Sequence, residues 1–567
     1  MANINNKAKS GSTFDAIVIG SGLSGGWAAK ELTEKGLTVL MLDRGHQLEH
    51  IKDYKTATLD PWQFTHRGRI TTEQRETHKY VSRDYPYSEH NESYWFKDSD
   101  APYIEKQKFD WFRPDIVGGK SIMWGRQSYR MSDLDFEANA KDGHGIDWPV
   151  RYKDIEPWYE YVEKHVGISG QKEGYSALPD SLFLPPMEMN CVEKKVKKGI
   201  EANFHDRIMT IGRVANVTKQ VHGRGPCQYR NLCSRGCPYG AYFSTQSSTL
   251  PPAMATGRLT LQPDSIVSQI LYDKDKKRAT GVEIIDANTN KTYEYHSKIV
   301  FVNASTIGTA SILLNSVSDR FPNGFGNDSE TLGHYLMDHH FRCGAGGQMP
   351  GFGDKYYYGR RPNGIYVPRY RNVKKNDHRG YVRGFGYQGG ASRSNWARGI
   401  AEMGVGGDFK EMLSQPGMWG MGLGGFGECL PYKENKVYLS KEKTDKWGLP
   451  TVVFDAGFKE NEKAMRKDMI NDAAEMLESA GVKDIYTFDN GSAPGLAIHE
   501  MGTARMGNDP KQSVLNKWNQ MHAVKNVFVT DGSFMDSTAC HNPSLSFMAF
   551  TARACDYAVK ELKKQNI

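Results

Sequence analysis

The segment Phe14–Asp43 constrains the fold more than any other part of the 567-residue chain. FDAIVIG is an apolar, β-branched run that suits a strand buried on both faces and ends at Gly20. SGLSGGWAAKELTEKG sets Trp27, Ala28 and Leu32 on one face of a helix closed by Gly36, and LTVLMLD is a second apolar strand ending at Asp43. With Gly20-x-Gly22-x-x-Gly25 at the first turn, this is the pattern of a dinucleotide-binding βαβ unit. Gly20 allows the tight turn, Gly22 lets backbone approach a pyrophosphate, and Gly25 lets the helix pack on the strand. The helix N-terminus meets phosphate oxygens, and Asp43, 18 residues past Gly25, is placed to accept from ribose hydroxyls.

The rest of the chain is read around that unit. Residues 46–110 are polar and aromatic with little periodicity, as in a surface excursion or lid. VSQILYDKDKKRATGVEIIDANTNKTYEYHSKIVFVNA alternates and turns twice, which predicts a three-stranded meander ending near Asn303. Residues 335–455 are rich in Gly and aromatics and suit the sheet of a substrate domain, with the glycines of 420–427 reading as sheet packing. An amphipathic helix is predicted over 458–481. The net charge of +7 arises from 73 basic against 66 acidic residues, a small excess on a mixed surface, which disfavours nucleic acid as a partner. No apolar run is long enough to span a bilayer. The N-terminal residues do not form a secretory or twin-arginine signal, so the chain is expected to fold in the cytosol and to need another chain for export.

Three further segments decide the family: RPDIVGGKSIMWGR (Arg113–Arg126), HEMGTARMG (His499–Gly507) and NVFVTDGSFMDSTACHNPSLSFMAFTARACDYAV (Asn526–Val559). In this order after the βαβ unit they resemble the glucose–methanol–choline (GMC) flavoprotein oxidoreductases from Phe14 to about Leu562. The resemblance implies an α/β, two-domain protein: a Rossmann-like FAD-binding domain of the GMC/p-hydroxybenzoate-hydroxylase type with a β-sheet substrate domain. The expected division is a discontinuous FAD domain (12–48, 110–150, 240–320 and 495–567), an excursion (49–109), a connecting segment (151–239) and a substrate domain (321–494).

The resemblance also implies residue roles. Gly20, Gly22, Gly25, Asp43, Gly118, Gly119, Ser121, Met123, Trp124, Val267, Ala304, Asp531, Gly532, Asn542 and Pro543 map to FAD. His499 and Asn542 map to the catalytic pair, and the chemistry asks for them. An alcohol oxidised by hydride loss must also lose its hydroxyl proton, for which histidine is the natural acceptor and an amide can hold the oxygen. His541 and Gln127 are expected substrate contacts. The pyranose oxidases of the family carry a covalent flavin on a histidine where Met123 stands here, so non-covalent FAD is expected. His334, His339 and His340 in LGHYLMDHHFRC read as an ordinary structural segment of the family.

CQYRNLCSRGCPYG brings Cys227, Cys233 and Cys237 together in the sequence. Zinc sites usually bring four ligands in paired arms, and here His222 is the nearest fourth; the C-x₃-C-P ending is that of iron–sulfur ligands. A branch of the family, bacterial FAD-dependent sugar dehydrogenases, has the same insertion and holds a 3Fe–4S cluster there. Arg224, Arg230 and Arg235 are expected to offset its charge. Within the family the chain resembles the glucoside 3-dehydrogenase branch. That implies oxidation at C3 of glucosides, a c-type cytochrome acceptor, and a small companion subunit whose export signal takes this chain to the periplasm. Dehydrogenation at C1 or C2, an oxidase, or a non-catalytic flavin/iron–sulfur sensor are the other readings.

Overall fold

The computed structural model describes residues 11–357, 361–374, 377, 379–394 and 405–567. β1 (Thr13–Ile19), α1 (Leu23–Glu34) and β2 (Val39–Leu42) form the βαβ unit, with β1 and β2 parallel. Two glycines are there for close approach. Gly20 has φ +90°, and a Cβ on it would lie 2.3 Å from the Asn303 carbonyl oxygen. A Cβ on Gly25 would lie 1.8 Å from the Gly20 carbonyl oxygen, so α1 sits on β1 at a distance no side chain allows. Gly22 is different. A Cβ there would meet nothing within 4 Å, and Gly22 caps α1 without a side-chain bond, so first-turn N–H groups face open space.

β3 (Leu259–Gln262), β4 (Ser265–Asp273), β5 (Arg278–Asp286) and β6 (Thr292–Val302) extend the sheet in the order β3-β2-β1-β6-β5-β4. The C-terminal strand Val527–Val529 joins it in parallel on β6. β4, β5 and β6 are the antiparallel meander that the alternation predicts. Ile17, Leu40, Val300 and Trp27 are fully buried in its core, and the C-terminal helix Ser544–Lys563 packs on α1.

A second, antiparallel sheet contains β7 (Cys343–Met349), β8 (Ile365–Val367), β9 (Phe385–Arg393), β10 (Trp419–Gly427) and β11 (Lys483–Asp489). Their order is β11-β7-β10-β9-β8, continued by the short strand Thr210–Ile211. One face packs on α2 (Cys191–Asn203) and α3 (Glu460–Ser479), the latter within the predicted 458–481 helix. β10 shows the two faces by strict alternation: Trp419, Met421 and Leu423 are buried beneath the helices, whereas Gly420, Gly422, Gly424 and Phe426 are half-exposed on the other side. The packing role expected for the glycines holds for Gly425 and Gly427, where a Cβ would collide with Met469 at 2.3 Å and His340 at 2.2 Å. It fails for Gly420, Gly422 and Gly424, where the nearest atoms lie 3.6 Å or more away. Glycine inside a strand costs up to about 1 kcal/mol against a β-former.

Residues 49–109 are more firmly tied down than an excursion. Tyr80, Tyr103, Phe109 and Trp111 form a buried cluster with Val437 and Phe454, and Ile104–Glu105 pairs in parallel with Pro450–Asp455. The backbone there runs in short turns, so its aromatics bury without a regular period.

Candidate active site

A connected cavity of about 2410 Å³ runs between the two sheets. Ordinary small-ligand pockets hold about 300–1,000 Å³, so this one has room for a dinucleotide and a substrate together. Gly20, Gly22, Asp43, Gly119, Ser121, Met123, Trp124, Gln127, Val267, Ala304, Asp531, Gly532, His499 and Asn542 all line it. Gly25, Gly118, Pro543 and His541 do not line it. Gly118, at φ +92°, donates its N–H to Ser21 Oγ at 2.7 Å and would strike Gln246 if it carried a Cβ, so its part is to shape the loop.

Asp43 stands at the end of β2 and accepts from the Ser21 amide at 2.8 Å and the Gly45 amide at 2.7 Å. Burial pushes its carboxyl up to about 6. Asp531 is similarly engaged, accepting from the Ser533 amide at 3.0 Å and fixing the turn Gly532–Phe534.

His541, the expected substrate contact, does not line the cavity: its ring is 2% exposed, with Nδ1 3.8 Å from Asp135 and its centroid 6.1 Å from that of Tyr129. Its neighbour Asn542 occupies the wall instead.

At the junction of the sheets a chain of hydrogen bonds fixes the tautomer of His499. Burial lowers His339 to about 4, so its ring is neutral; its Nε2 lies 2.8 Å from the Ala539 carbonyl, which can only accept, so Nε2 carries the proton and Nδ1 is an acceptor. His499 Nδ1, 2.9 Å from His339 Nδ1, must therefore be the donor. That leaves His499 Nε2 with a lone pair, 3.1 Å from Asn542 Nδ2, which donates to it. Asn542 Oδ1 in turn accepts from Gln388 Nε2 of β9 at 2.6 Å.

The backbone of His499 is anchored as well. Asp338 accepts from the amides of Gly495, Ala497 and His499 at 2.7, 3.1 and 3.0 Å. Burial pushes the Asp338 carboxyl up to about 8, with Glu500 adding to the effect. Ile498, immediately before His499, sits at φ +62°, a conformation that costs a β-branched residue on the order of 1–3 kcal/mol and is characteristic of functional loops. Removal from water, then the His339 ring, then Lys120 hold His499 well below its ordinary 6.5, so it is neutral at neutral pH. Lys120 pairs with Glu500 at 2.9 Å in the same wall. His339 and Gln388 are not visible from the sequence; His339 lies in LGHYLMDHHFRC, which reads as structural.

The three cysteines are half-buried free thiols that line one small cavity. Burial, and then the nearby Cys233 and Cys237, raise the Cys227 thiol. Cys233 also lines the large cavity. Among the described residues no group of three His, Cys, Asp or Glu side chains has metal-holding spacing. His222 stacks on His165, with centroids 4.9 Å apart. The arginines expected to balance charge are engaged with backbone carbonyls: Arg224 with Gly240 and Val166, Arg230 with Ala57, and Arg235 with Leu59. No helix among the described residues is long and apolar enough to cross a membrane.

Comparison with known proteins agrees with this architecture. A family model described as GMC oxidoreductase matches residues 14–341, more than half the chain, and its C-terminal counterpart matches 431–551. The chain is similar to the 2-methyl-1,2-propanediol dehydrogenase of Mycolicibacterium austroafricanum, 29% identical over 96% of this chain and 94% of that protein. It is also similar to the fructose dehydrogenase large subunit of Gluconobacter japonicus, 24% identical over 97% and 98%. Among solved structures, the formate oxidase of Aspergillus oryzae RIB40 shares the fold with a TM-score of 0.63 at 13% identity, covering 98% of this chain and 100% of that one.

Proposed function

The chain belongs to the GMC oxidoreductase family, FAD-dependent enzymes acting on alcohol and sugar CH–OH groups, and from that premise we propose that it is a dehydrogenase oxidising the C3 hydroxyl of glucosides to the 3-keto sugar. The observation that carries a catalytic reading is the His499 Nε2 lone pair, held beside Asn542 in the cavity wall. The cavity fits FAD. Gly22 leaves open the space before the N-terminus of α1, and Asp43 stands at the end of β2. The FAD-facing roles of Gly20, Gly119, Ser121, Val267, Ala304, Asp531 and Gly532 rest on their place in that cavity. Bound FAD supplies the two-electron acceptor for the hydrogen leaving carbon.

The chain supplies the proton chemistry. A substrate hydroxyl takes the place at His499 Nε2 that the Asn542 amide now holds, and donates its proton there. The imidazolium formed keeps its Nδ1–H on His339, which orients the ring throughout. Asn542, released from Nε2 but still held by Gln388, turns its N–H toward the substrate oxygen. A positioned base of this kind is worth about 10²–10⁴-fold.

Cys227, Cys233 and Cys237 share one cavity but do not stand at metal-holding spacing; drawn together, they would supply the three thiolates of a 3Fe–4S cluster. Such a cluster would supply one-electron transfer toward a cytochrome c, with Cys233 the thiolate nearest the large cavity because it lines that wall as well. A companion subunit and a periplasmic site complete the proposal. Their support is the likeness to a protein named as a large subunit; native protein purifying alone from the cytosol would sink them.

The test of regiochemistry is turnover of methyl glucoside with a dye acceptor, followed by NMR of the product. A 3-keto glucoside is expected. An idle enzyme that instead oxidises free glucose to the lactone would move the reaction to C1.

A further inference from the structure

The turn between the strands Lys436–Thr444 and Pro450–Asp455 reaches out of its own sheet to the end of β2. Asp445 closes it, accepting from the amides of Trp447 and Leu449 at 2.9 and 3.0 Å. It is then tied down on two sides. Lys446 bonds to Asp100 of the 49–109 segment, amide to carbonyl at 3.0 Å and Nζ to carboxylate at 2.6 Å. Trp447 Nε1 donates at 3.1 Å to the carbonyl of Ala287, just past β5. Asp445, Leu449, Pro450 and Thr451 line the large cavity.

What these segments meet around is Arg44, the residue after Asp43. Its place is fixed from behind, because a Cβ on Gly45 would lie 2.2 Å from the Ile116 amide nitrogen. The guanidinium carbon is 4.3 Å from the centroid of Phe96 and 4.7 Å from that of Trp447. Those two centroids are only 6.0 Å apart, closer than rings on opposite faces of the guanidinium could stand at such distances. Phe96 and Trp447 therefore flank the group without sandwiching it, and leave one face of the plane uncovered. Arg44 lines the cavity, its Nε and Nη2 have no hydrogen-bond partner among the described residues, and Asp445 stands 3.8 Å off.

A second, independent feature belongs to the turn itself. Thr451 is 4% exposed and lines the same cavity, and its Oγ1 has no partner among the described residues. Buried polar groups left unpaired cost free energy that a ligand would recover. The position says which part of a ligand that is. A dinucleotide with its pyrophosphate at the N-terminus of α1 and a ribose at Asp43 carries the base of that ribose past Asp43, to the side on which Arg44 stands. A planar guanidinium stacks well on a base, and a hydroxyl can both donate to and accept from a purine edge.

We infer that the 445–451 turn is a clasp on the adenosine end of the cofactor: Arg44, carried by Phe96 and Trp447, stacks its open face on the purine, and Thr451 bonds to the purine edge. This rests on the reading that the cavity holds FAD, and goes beyond it in naming what favours FAD over FMN. It also assigns to the cofactor a turn that falls within the expected substrate domain.

The experiment follows FAD release from the loaded protein, by the rise in flavin fluorescence on dilution, in wild type, Arg44→Met and Thr451→Val. Arg44→Met should release FAD roughly 5- to 30-fold faster. Thr451→Val should release it roughly 2- to 10-fold faster. At equilibrium, the FMN concentration that displaces half the FAD should fall by a similar factor in each variant. The ADP concentration that does so should stay as in wild type, because ADP loses the same contact as FAD and FMN never had it. A general loosening of the fold would weaken all three ligands alike and move neither ratio. Unchanged FMN and ADP ratios in FAD-loaded variants would therefore overturn the clasp and leave FAD binding standing. An Arg44→Met protein that does not fold passes the decision to Thr451→Val, read in the same way. A wild type that holds no FAD would overturn the cofactor reading, and the clasp with it.

Discussion

Two imidazoles that meet Nδ1 to Nδ1 can share only one proton, and the Ala539 carbonyl decides which ring carries it. His339 is therefore a positioning residue. His339→Phe is expected to lower kcat by up to about 10²-fold with KM nearly unchanged, because the ring it orients supplies the base. His339→Gln, which can both donate to Ala539 and accept from His499, should recover most of the rate. Equal damage from both changes would contradict the tautomer argument. The pH profile is a second readout. With His499 held well below 6.5, its Nε2 stays unprotonated as the pH falls through 6.5, and the acid limb of kcat/KM should lie below that value. The sequence showed His499 and Asn542 through their motifs. His339 and Gln388 were hidden because their roles depend on contacts 160 and 154 residues away along the chain.

Among the elements, the βαβ unit and the meander were legible because each is governed by local periodicity and turn residues. The glycines of β10 were not. Sequence alone cannot tell Gly425, which a helix presses on, from Gly424, which faces the cavity, since both are simply glycines in a strand. The cysteine loop lies between these cases. Its spacing was plain, but the engagement of Arg224, Arg230 and Arg235 with carbonyls shows only in three dimensions. The loop lies between the two cavities, with Cys233 in both walls. Protein purified without oxygen should contain iron and acid-labile sulfide. Cys233→Ser should lose both, keep its flavin, and still be reduced by sugar while passing electrons slowly to cytochrome c. Zinc in place of iron, or unchanged electron delivery, would contradict the relay.

At the scale of the molecule, the site exists only where distant segments meet. The first sheet brings residues 13–42, 259–302 and 527–529 together, and the C-terminal helix follows directly on Asn542. The second sheet contributes Gln388 and the open glycine face. Asp338 and His339 precede β7 and hold the His499 loop. Neither sheet alone supplies the cavity wall. The central claim is that His499 takes the hydroxyl proton of a sugar bound in this cavity. It is tested most directly by mixing FAD-loaded wild type and His499→Ala with methyl glucoside in the absence of oxygen and following the bleaching of flavin absorbance. The account expects rapid bleaching in the wild type, with a loss of about 10²–10⁴-fold in His499→Ala at unchanged flavin content. Equal rates in the two proteins would contradict it.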